Sequence, residues 1–566
     1  GRAMSLRRTA ICACLLLARV GAEEDGVMQA QVGAEGDVLD EAGVLDELDW
    51  PALLEQVQER STAAAGANDA ADAWVALVAA LEAVPRRLRA SPGDGVDALR
   101  AGLLPTLAAT LEGPARMSPE AARAVCRGIQ LAFVPPERLE VRKEVDAAVR
   151  SGALAPLVGA MEAHAGIAAV QFPCMAALVN LLTLAPTAEA LDSAFSVRAV
   201  EGVVNAMAKS AGDEAVLEAG CVALLYLAEP RAGGLTPEVY ARKRAFVKGG
   251  GVEALCTALR DRGTVAEVAA AAFAALAKAC EAGGAQNAPA PDASADEVDS
   301  VAQAVIDAGG LKAMLEAMRA HADSVGVLEY GLRALAQVGH SSERTGTHGA
   351  RAVVAAGAVN TIAAVMSTFH ADTDVQASGM RSLIALSHSG DADVLRALAS
   401  SAAPAAAAAL RAHGGHHVVW EPTLRFIVEV VKEEGDSERI SRSAALSAAG
   451  VPGALVSRLV LSLPKGGEAS RPALCAALDL FFRFDVTVSS AKGKKSTLVV
   501  PEHVESAYKD AVDAGAVELF ATLEAGLPDE FACKKGRKAK DCREDTARPC
   551  VKVLADFRRV HNRVVD

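Results

Sequence analysis

The chain has 566 residues, a formal net charge of −14, and 51% hydrophobic but only 4% aromatic residues. The negative charge argues against general nucleic-acid binding, because contacts with phosphates need clustered cations. With so few aromatic residues, the buried area must come from Ala, Leu and Val spread over many helices rather than from a few large side chains.

The N-terminus has the layout of a secretory signal peptide. Residues 4–8 make a basic start with Arg7 and Arg8, residues 9–18 form an apolar run, and residues 20–22 offer small side chains for cleavage before Glu23. The run is too short to span a bilayer, which takes about 20 apolar residues. We therefore expect a signal peptide over residues 1–22 and no membrane span. Arg19 beside the cut leaves a cytoplasmic N-terminus or an organelle presequence open as alternatives.

An acidic segment follows the predicted signal. Residues 23–49 carry ten carboxylates and no basic residue, which predicts a disordered arm because like charges repel and little apolar surface is available for burial. Order is expected to begin at Trp50, where Pro51 suits the first turn of a helix. We interpret residues 50–89 as an N-terminal helical cap.

A repeat marked by glycine occupies residues 90–566. Each marker is expected between a short helix and a longer apolar helix, at successive spacings of 45 to 65 residues. These spacings resemble the roughly 40 to 47 residues of helical solenoid repeats, and they predict about nine units with loop insertions at 281–300 and 527–548. The markers are Gly102, Gly152, Gly202, Gly251, Gly310, Gly357, Ala402, Gly450 and Gly515.

The last helix of each unit contains a second recurring pattern. A small residue stands four positions before an apolar residue in several copies, as in Gly331 before Leu335 and Gly379 before Leu383. Glycine inside a helix costs about 0.5 to 1 kcal/mol, so its recurrence predicts that another helix must approach closely there.

These patterns resemble armadillo repeats, particularly those of leucine-rich-repeat kinases. The resemblance lies in 301–339, 351–386 and 145–182, where a short helix ends in Ala-Gly or Gly-Gly before an apolar helix and a Val-x-x-x-Gly-x-x-Ala-Leu helix. It covers about residues 90–566 and implies an all-α fold, a right-handed α-α superhelix of armadillo type. Function is weakly specified, because this architecture serves many binding roles.

The resemblance also implies a binding face. In armadillo proteins the last helix of each unit lines a concave groove, and import adaptors place asparagines there, each preceded by a tryptophan. Only Asn180 keeps asparagine at the matching positions, and no tryptophan lies four residues before any of them. Import-adaptor function is therefore not expected. The polar residues proposed to contact a partner in this groove are Asn180, Tyr226, Lys278 and Gln337.

No catalytic motif emerges from the sequence. Residues 493–497 resemble a phosphate-binding loop but lack its first glycine, since Val488 stands there, and carry Lys495 in place of the hydroxyl. His413, His416 and His417 form a close group without a Cys or carboxylate at a recognised metal-ligand spacing. We expect no cofactor, no metal and no enzymatic activity.

The remaining candidate functional residues are cysteines and a basic loop. The helical cysteines Cys174, Cys221, Cys475 and Cys550 are interpreted as buried thiols. Cys533 and Cys542 are the most plausible disulfide if the chain enters an oxidising compartment. The basic loop fits either an import signal or an acidic-peptide site, although such loops are often merely solvated. Its residues are Lys534, Lys535, Arg537 and Lys538.

The sequence therefore favours a non-catalytic protein-interaction scaffold. A protein or peptide partner is expected, without nucleic acid, and the chain is expected to be monomeric. The alternative is a regulatory solenoid fragment of a larger signalling enzyme, such as a kinase. The compartment is the secretory pathway if the signal is used and the cytoplasm otherwise.

Overall fold

A computed structural model describes most of the chain between residues 44 and 517. The described ranges are 44–66, 71–113, 118–133, 142–185, 187–229, 237–281, 300–340, 348–413, 415–431, 436–461, 477–478 and 502–517. The predicted signal peptide, most of the acidic arm, nearly all of the first insertion, the second insertion, the basic loop, the 493–497 loop and the Cys533–Cys542 pair lie outside these residues.

The described residues form a series of α-helices, together with a short 3₁₀ turn at Pro92–Asp94. The principal helices are α1 Trp50–Gly66, α2 Ala71–Ala90, α3 Gly95–Arg100, α4 Leu103–Glu112, α5 Pro119–Leu131, α6 Arg142–Arg150, α7 Leu154–Ala163, α8 Ala168–Leu184, α9 Ala188–Ser196, α10 Ala199–Lys209, α11 Glu214–Leu227, α12 Pro237–Lys248, α13 Gly251–Arg262, α14 Ala266–Cys280, α15 Ser300–Asp307, α16 Gly310–Ala320, α17 Val325–Gly339, α18 His348–Ala355, α19 Ala358–Thr368, α20 Thr373–Ser387, α21 Ala392–Ser401, α22 Ala403–His413, α23 His417–Val431, α24 Asp436–Ala448, α25 Val451–Leu461 and α26 Glu502–Asp513.

The chain divides into two compact units, Gly1–Ala320 and His321–Asp566. In the first unit the helices recur as triplets of a first, a second and a third helix. The third helices α5, α8, α11 and α14 pack each against the next, and the second helices α4, α7, α10, α13 and α16 do the same. Each triplet thus buries its apolar residues against its neighbours, as a repeat protein requires.

The second unit follows the same plan. Its third helices α17, α20 and α23 pack in succession, and its second helices α19, α22 and α25 form a parallel row. The fully buried residues are dominated by Leu, Ala and Val, with a few phenylalanines such as Phe426. The predicted all-α repeat fold is therefore confirmed.

Most corners between a first and a second helix contain a residue with left-handed backbone, whereas Ala402 at the corner between α21 and α22 has φ −100°. In the Gly309–Gly310 pair it is Gly309 that has φ +69°. Gly310 starts α16, and a Cβ there would lie 2.7 Å from Cys256 Sγ and 2.8 Å from Val305 O. The predicted marker Gly310 is thus one residue late: the first glycine makes the turn, and the second allows close packing.

The prediction that Gly202 marks a turn between a first and a second helix was also wrong. The left-handed residue of this corner is Arg198, at φ 58°, and Gly202 lies inside α10. A Cβ on Gly202 would stand 3.1 Å from Val158 Cγ1 on the preceding second helix α7. Glycine at this site therefore serves helix contact, and the spacing of 50 residues from Gly152 does not identify the corner.

The small residue of the third helix does allow a close approach, as the sequence predicts. A Cβ on Gly220 would lie 2.4 Å from Met207 Cγ, and one on Gly379 would lie 2.5 Å from Met366 Cγ. In both cases the methionine is at the end of the second helix, 13 residues earlier in the chain. The glycine lets the second and third helices of one triplet meet.

Replacing Gly379 by alanine is expected to destabilise the second unit by about 1 to 3 kcal/mol, because Met366 must move out of a packed core. Alanine's higher helix propensity, about 1 kcal/mol, offsets only part of this cost. The matched control is Gly326→Ala in the first turn of α17, where a Cβ meets no atom within 4 Å. Urea unfolding should show opposite signs for the two variants, and a stabilising Gly379→Ala would contradict the close-packing account.

Buried glutamines close the turn between the second and third helices. Gln171 Nε2 donates to Met161 O at 2.9 Å and to His164 O at 2.8 Å. Gln376 makes the equivalent bonds to Met366 O and Phe369 O in the second unit. Met161 O and Met366 O lie in the last turn of a helix, where carbonyls lack intrahelical partners, and the glutamine satisfies them inside the core. His164 O and Phe369 O also accept a backbone bond, from Ile167 N and Asp372 N.

No single helix among the described residues is both long enough and apolar enough to cross a membrane. The pair α18 and α19 reaches such a length and composition together, with a bend of 65° between the two helices.

Candidate interaction surface

The third helices carry the predicted binding face, and most of their residues are buried. In α8 the run from Pro173 to Leu182 is entirely buried, and in α11 the run from Ala219 to Leu227 is as well. The corresponding helices of the second unit expose more polar side chains. A surface that contacts a partner must therefore use a small number of positions on each helix.

Asn180 and Tyr226 lie deep in the first unit. Asn180 is 7% exposed, and its Nδ2 donates to Gln130 O of α5 at 3.0 Å. Tyr226 is 8% exposed on α11. The amide of Asn180 therefore ties consecutive third helices together, which is a structural role in addition to the one expected for it.

Lys278 and Gln337 are more accessible. Lys278, at the end of α14, is half-buried, and its Nζ lies 3.0 Å from Glu281 Oε2. Gln337 is half-buried on α17, in the second unit. The structure thus places three of the four predicted residues in the first unit and one in the second. Their role in partner binding stays a prediction.

A disulfide joins two third helices. Cys126 on α5 and Cys174 on α8 are bonded, with Cα atoms 4.8 Å apart and both residues fully buried. The interpretation of Cys174 as a free buried thiol was therefore wrong. Both cysteines occupy facing positions on consecutive repeats, 48 residues apart, and that one-repeat spacing was the signal that could have found the pair.

The free cysteines of the described residues are poor nucleophiles. Cys221, Cys256 and Cys280 are buried. Desolvation raises the pKa of Cys256 to about 11 and that of Cys280 to about 12, and it raises the pKa of Cys221 as well. Since the thiolate is the reactive form, these side chains behave as small core residues at neutral pH.

The histidine group at the end of α22 is built into the repeat. His413 is 5% exposed, and its Nε2 lies 2.7 Å from His370 O at the corresponding corner of the preceding repeat. His416 contacts it edge to face at 6.0 Å between ring centroids. The part of the chain that the structure describes holds no group of three or more His, Cys, Asp or Glu side chains suited to a metal ion.

A small cleft between α12 and α14 contains two cations, Arg242 and Lys243, that each have a partner within the chain. Arg242 donates to Asp192 Oδ1 at 2.8 Å. Lys243 Nζ donates to Ala279 O and Glu281 O, both at 2.8 Å, and burial lowers its pKa. Lys243 therefore caps the C-terminal end of α14, where a cation is favourable.

Sequence reasoning missed a set of arginines at one register position of the third helices. Each stands two residues after the small residue, on α17, α20 and α23 of the second unit. We call Arg333, Arg381 and Arg425 the arginine column. Aligning the third helices on Gly331 and Gly379 would have revealed the first two members, whereas the third follows Thr423 and requires the register of α23.

Comparisons with known proteins identify the fold. No family model matches the chain, and no curated protein matches it in sequence. A β-catenin structure, solved in work on a phosphorylation switch that controls the interaction between cadherin and β-catenin, is similar with a TM-score of 0.54 at 12% identity, covering 93% of this chain and 85% of that one. The crystal structure of SYS-1 has a TM-score of 0.46 at 12% identity, covering 97% and 99%. An engineered protein has a TM-score of 0.35 at 22% identity, covering 55% and 97%.

The similarity to β-catenin supports an armadillo-type solenoid as the fold of this chain. The finer resemblance to the armadillo regions of leucine-rich-repeat kinases stays a prediction, as does the alternative of a fragment of a larger signalling enzyme. The same holds for the domain boundaries drawn from the sequence.

Proposed function

We propose that this chain is a non-catalytic scaffold that binds protein or peptide partners along its third helices. The observation that carries the proposal is the register of these helices: in each unit they pack in succession, so equivalent side chains recur at one position along a face. Repeat proteins use such extended faces for binding. The similar β-catenin structure comes from work on an interaction with another protein, cadherin.

The chemistry of the described residues supports binding rather than catalysis. The free thiols are buried and protonated at neutral pH, and the two cations of the cleft between α12 and α14 are held by Asp192 and by backbone carbonyls. A partner, by contrast, requires only a surface with complementary shape and charge.

Substituting Asn180, Tyr226, Lys278 and Gln337 together by alanine is expected to weaken partner capture while helicity by circular dichroism stays unchanged. Tagged protein would be incubated with extract, and captured proteins would be quantified by mass spectrometry against wild type. Unchanged capture would remove these four residues from the binding face.

Two further variants make this test specific. Because Asn180 and Tyr226 are buried, a variant with only Lys278→Ala and Gln337→Ala separates binding from folding. The matched control is Lys312→Ala with Glu316→Ala on the second helix α16, where the two side chains are 82% and 53% exposed. The control should capture partners as wild type does, and an equal loss in the control would contradict a role for the third helices.

A further inference from the structure

Two arginines of the described residues lie over a tryptophan ring, and only one of them has a carboxylate partner. The Cζ of Arg87 lies 4.6 Å from the ring centroid of Trp50, and its Nε lies 3.8 Å from Asp94 Oδ2. Arg458, in the last turn of α25, has its Cζ 4.9 Å from the ring centroid of Trp420, in the first turn of α23. The second stack therefore repeats the first without its anion.

Arg458 carries a buried charge without a counterion. The residue is 7% exposed, and its Nε is fully enclosed without a partner. Within the described residues its guanidinium group makes no hydrogen bond and no ion pair, and burial lowers its pKa. An aromatic ring stabilises a cation only in part, and buried charges in proteins are normally paired. Two other buried arginines follow that rule, Arg242 with Asp192 and Arg442 with Glu438.

The unpaired guanidinium group lies beside the N-terminus of α23. Side chains of a helix lean toward its start, so the indole of Trp420 covers the turn that opens with His417. Val419 N and Trp420 N both donate to His416 O, whereas the amides of His417 and Val418 make no backbone hydrogen bond within the described residues. Such first amides carry the positive end of the helix dipole. A guanidinium group and two amide donors therefore lie at the same end of α23.

Within the described residues, carboxylates are scarce around this stack. Helices α22 and α25, which pack on each other, contain no acidic residue. Asp510 of α26 accepts from Gly453 N in the first turn of α25, at the opposite end of that helix from Arg458. Glu421, the chain neighbour of the tryptophan, is exposed and makes no ion pair with Arg458. The local charge at this end of α25 is therefore positive.

We propose that Arg458, Trp420 and the first turn of α23 form a binding site for a small oxyanion, a phosphate or a carboxylate group. A guanidinium group over a ring keeps its N–H groups in its own plane, where they hold two oxygen atoms through parallel hydrogen bonds. Helix N-termini bind anions through their free amides and their dipole. The oxyanion supplies to Arg458 the negative charge that Asp94 supplies to Arg87. This site goes beyond partner binding, because it lies between a second and a third helix and takes a ligand of a few atoms.

Isothermal titration calorimetry of the full chain measures the binding. Sodium phosphate and, separately, sodium acetate are titrated, with sodium chloride at the same ionic strength as the reference. Saturable phosphate binding should weaken roughly tenfold or more in Arg458→Gln, because charge-assisted hydrogen bonds are lost. Arg458→Lys keeps the charge without the two-pronged donor and should bind with intermediate affinity. The matched control is Arg87→Gln, which changes the stack that already has a carboxylate and should bind phosphate as wild type does.

Urea unfolding separates a ligand site from an arginine that serves packing alone. Without phosphate, the unfolding midpoint of Arg458→Gln should equal or exceed that of wild type, since the change removes a buried unpaired charge. Added phosphate should raise the midpoints of wild type and Arg87→Gln, but not that of Arg458→Gln, because a ligand stabilises only the folded chain that binds it. An equal loss of stability in Arg458→Gln with and without phosphate would give this arginine a packing role alone and overturn the proposal.

Indole fluorescence locates the bound anion. Titration with phosphate should change the emission of wild type, and this change should vanish in Trp420→Phe, which keeps an aromatic ring under the guanidinium group. The same emission change in Trp420→Phe would place the anion elsewhere. Binding heat for neither anion, wild-type affinity in Arg458→Gln, or equal weakening in Arg87→Gln would also overturn the proposal. Tighter binding of phosphate than of acetate assigns a phosphate group to the site, and the reverse order assigns a carboxylate group.

Discussion

Replacing Cys126 and Cys174 together by alanine is expected to lower the free energy of unfolding by about 4 kcal/mol, the chain-entropy value for a closed loop of this length. The bond spans 48 residues and joins α5 to α8, so its loss frees one whole repeat in the unfolded chain. Denaturant unfolding of the oxidised wild type and the double variant, followed by hydrogen exchange at α5 and α8, measures the effect.

The matched control for the disulfide is Cys221→Ala, which removes a buried free thiol from α11. This change should cost roughly 1 kcal/mol, since it deletes one small apolar group and no cross-link. Non-reducing mass spectrometry after alkylation tests the bond directly. Labelling of both Cys126 and Cys174 in protein unfolded without reductant would show that the bond is absent. Disulfides persist in oxidising compartments, which is where the predicted signal peptide would direct the chain.

Leu335→Ala is expected to destabilise the second unit by about 2 to 5 kcal/mol, the usual cost of a cavity in a packed core. Leu335 is fully buried on α17. Because α17 packs directly on α20, amide protection should fall most in these two helices and least in α25. Hydrogen exchange resolves the helices separately.

The control for this second variant is Val428→Ala on α23, where the side chain is 38% exposed. Its effect should stay within about 0.5 kcal/mol, as for most surface substitutions. Protection lost uniformly through the second unit after Leu335→Ala would mean that the helices unfold as one block, which contradicts coupling between neighbouring repeats.

The helices and their repetition could be predicted because they depend on local chemistry. Apolar residues at helical spacing, as in Leu311 to Met318, specify a helix with one buried face whatever its neighbours are. The small residue at Gly379 was equally visible, since only a close contact explains a glycine inside a helix. The turns between first and second helices were harder to predict. Gly202 and Gly310 each look like a turn glycine, yet at both positions a Cβ would press against a neighbouring side chain, tightly at Gly202 and with a clash at Gly310.

The contacts of the candidate site residues could not be predicted from one repeat alone, because their partners lie in a neighbouring repeat. Asn180 looks like a surface ligand, but its amide is taken up by Gln130 O of the preceding repeat. Cys174 looks like any buried thiol until Cys126 is placed opposite it. In both cases the decisive partner lies about 50 residues away, where a local pattern gives no warning.

The central claim, that the third helices form the binding face, is tested most directly by cross-linking. A photoreactive amino acid would replace Gln337 on the third helix α17 and, in a separate variant, Lys312 on the second helix α16. Each chain would be irradiated in extract, and the cross-linked proteins would be identified by mass spectrometry. The account predicts partner cross-links from position 337 and not from position 312, and cross-links from position 312 alone would contradict it.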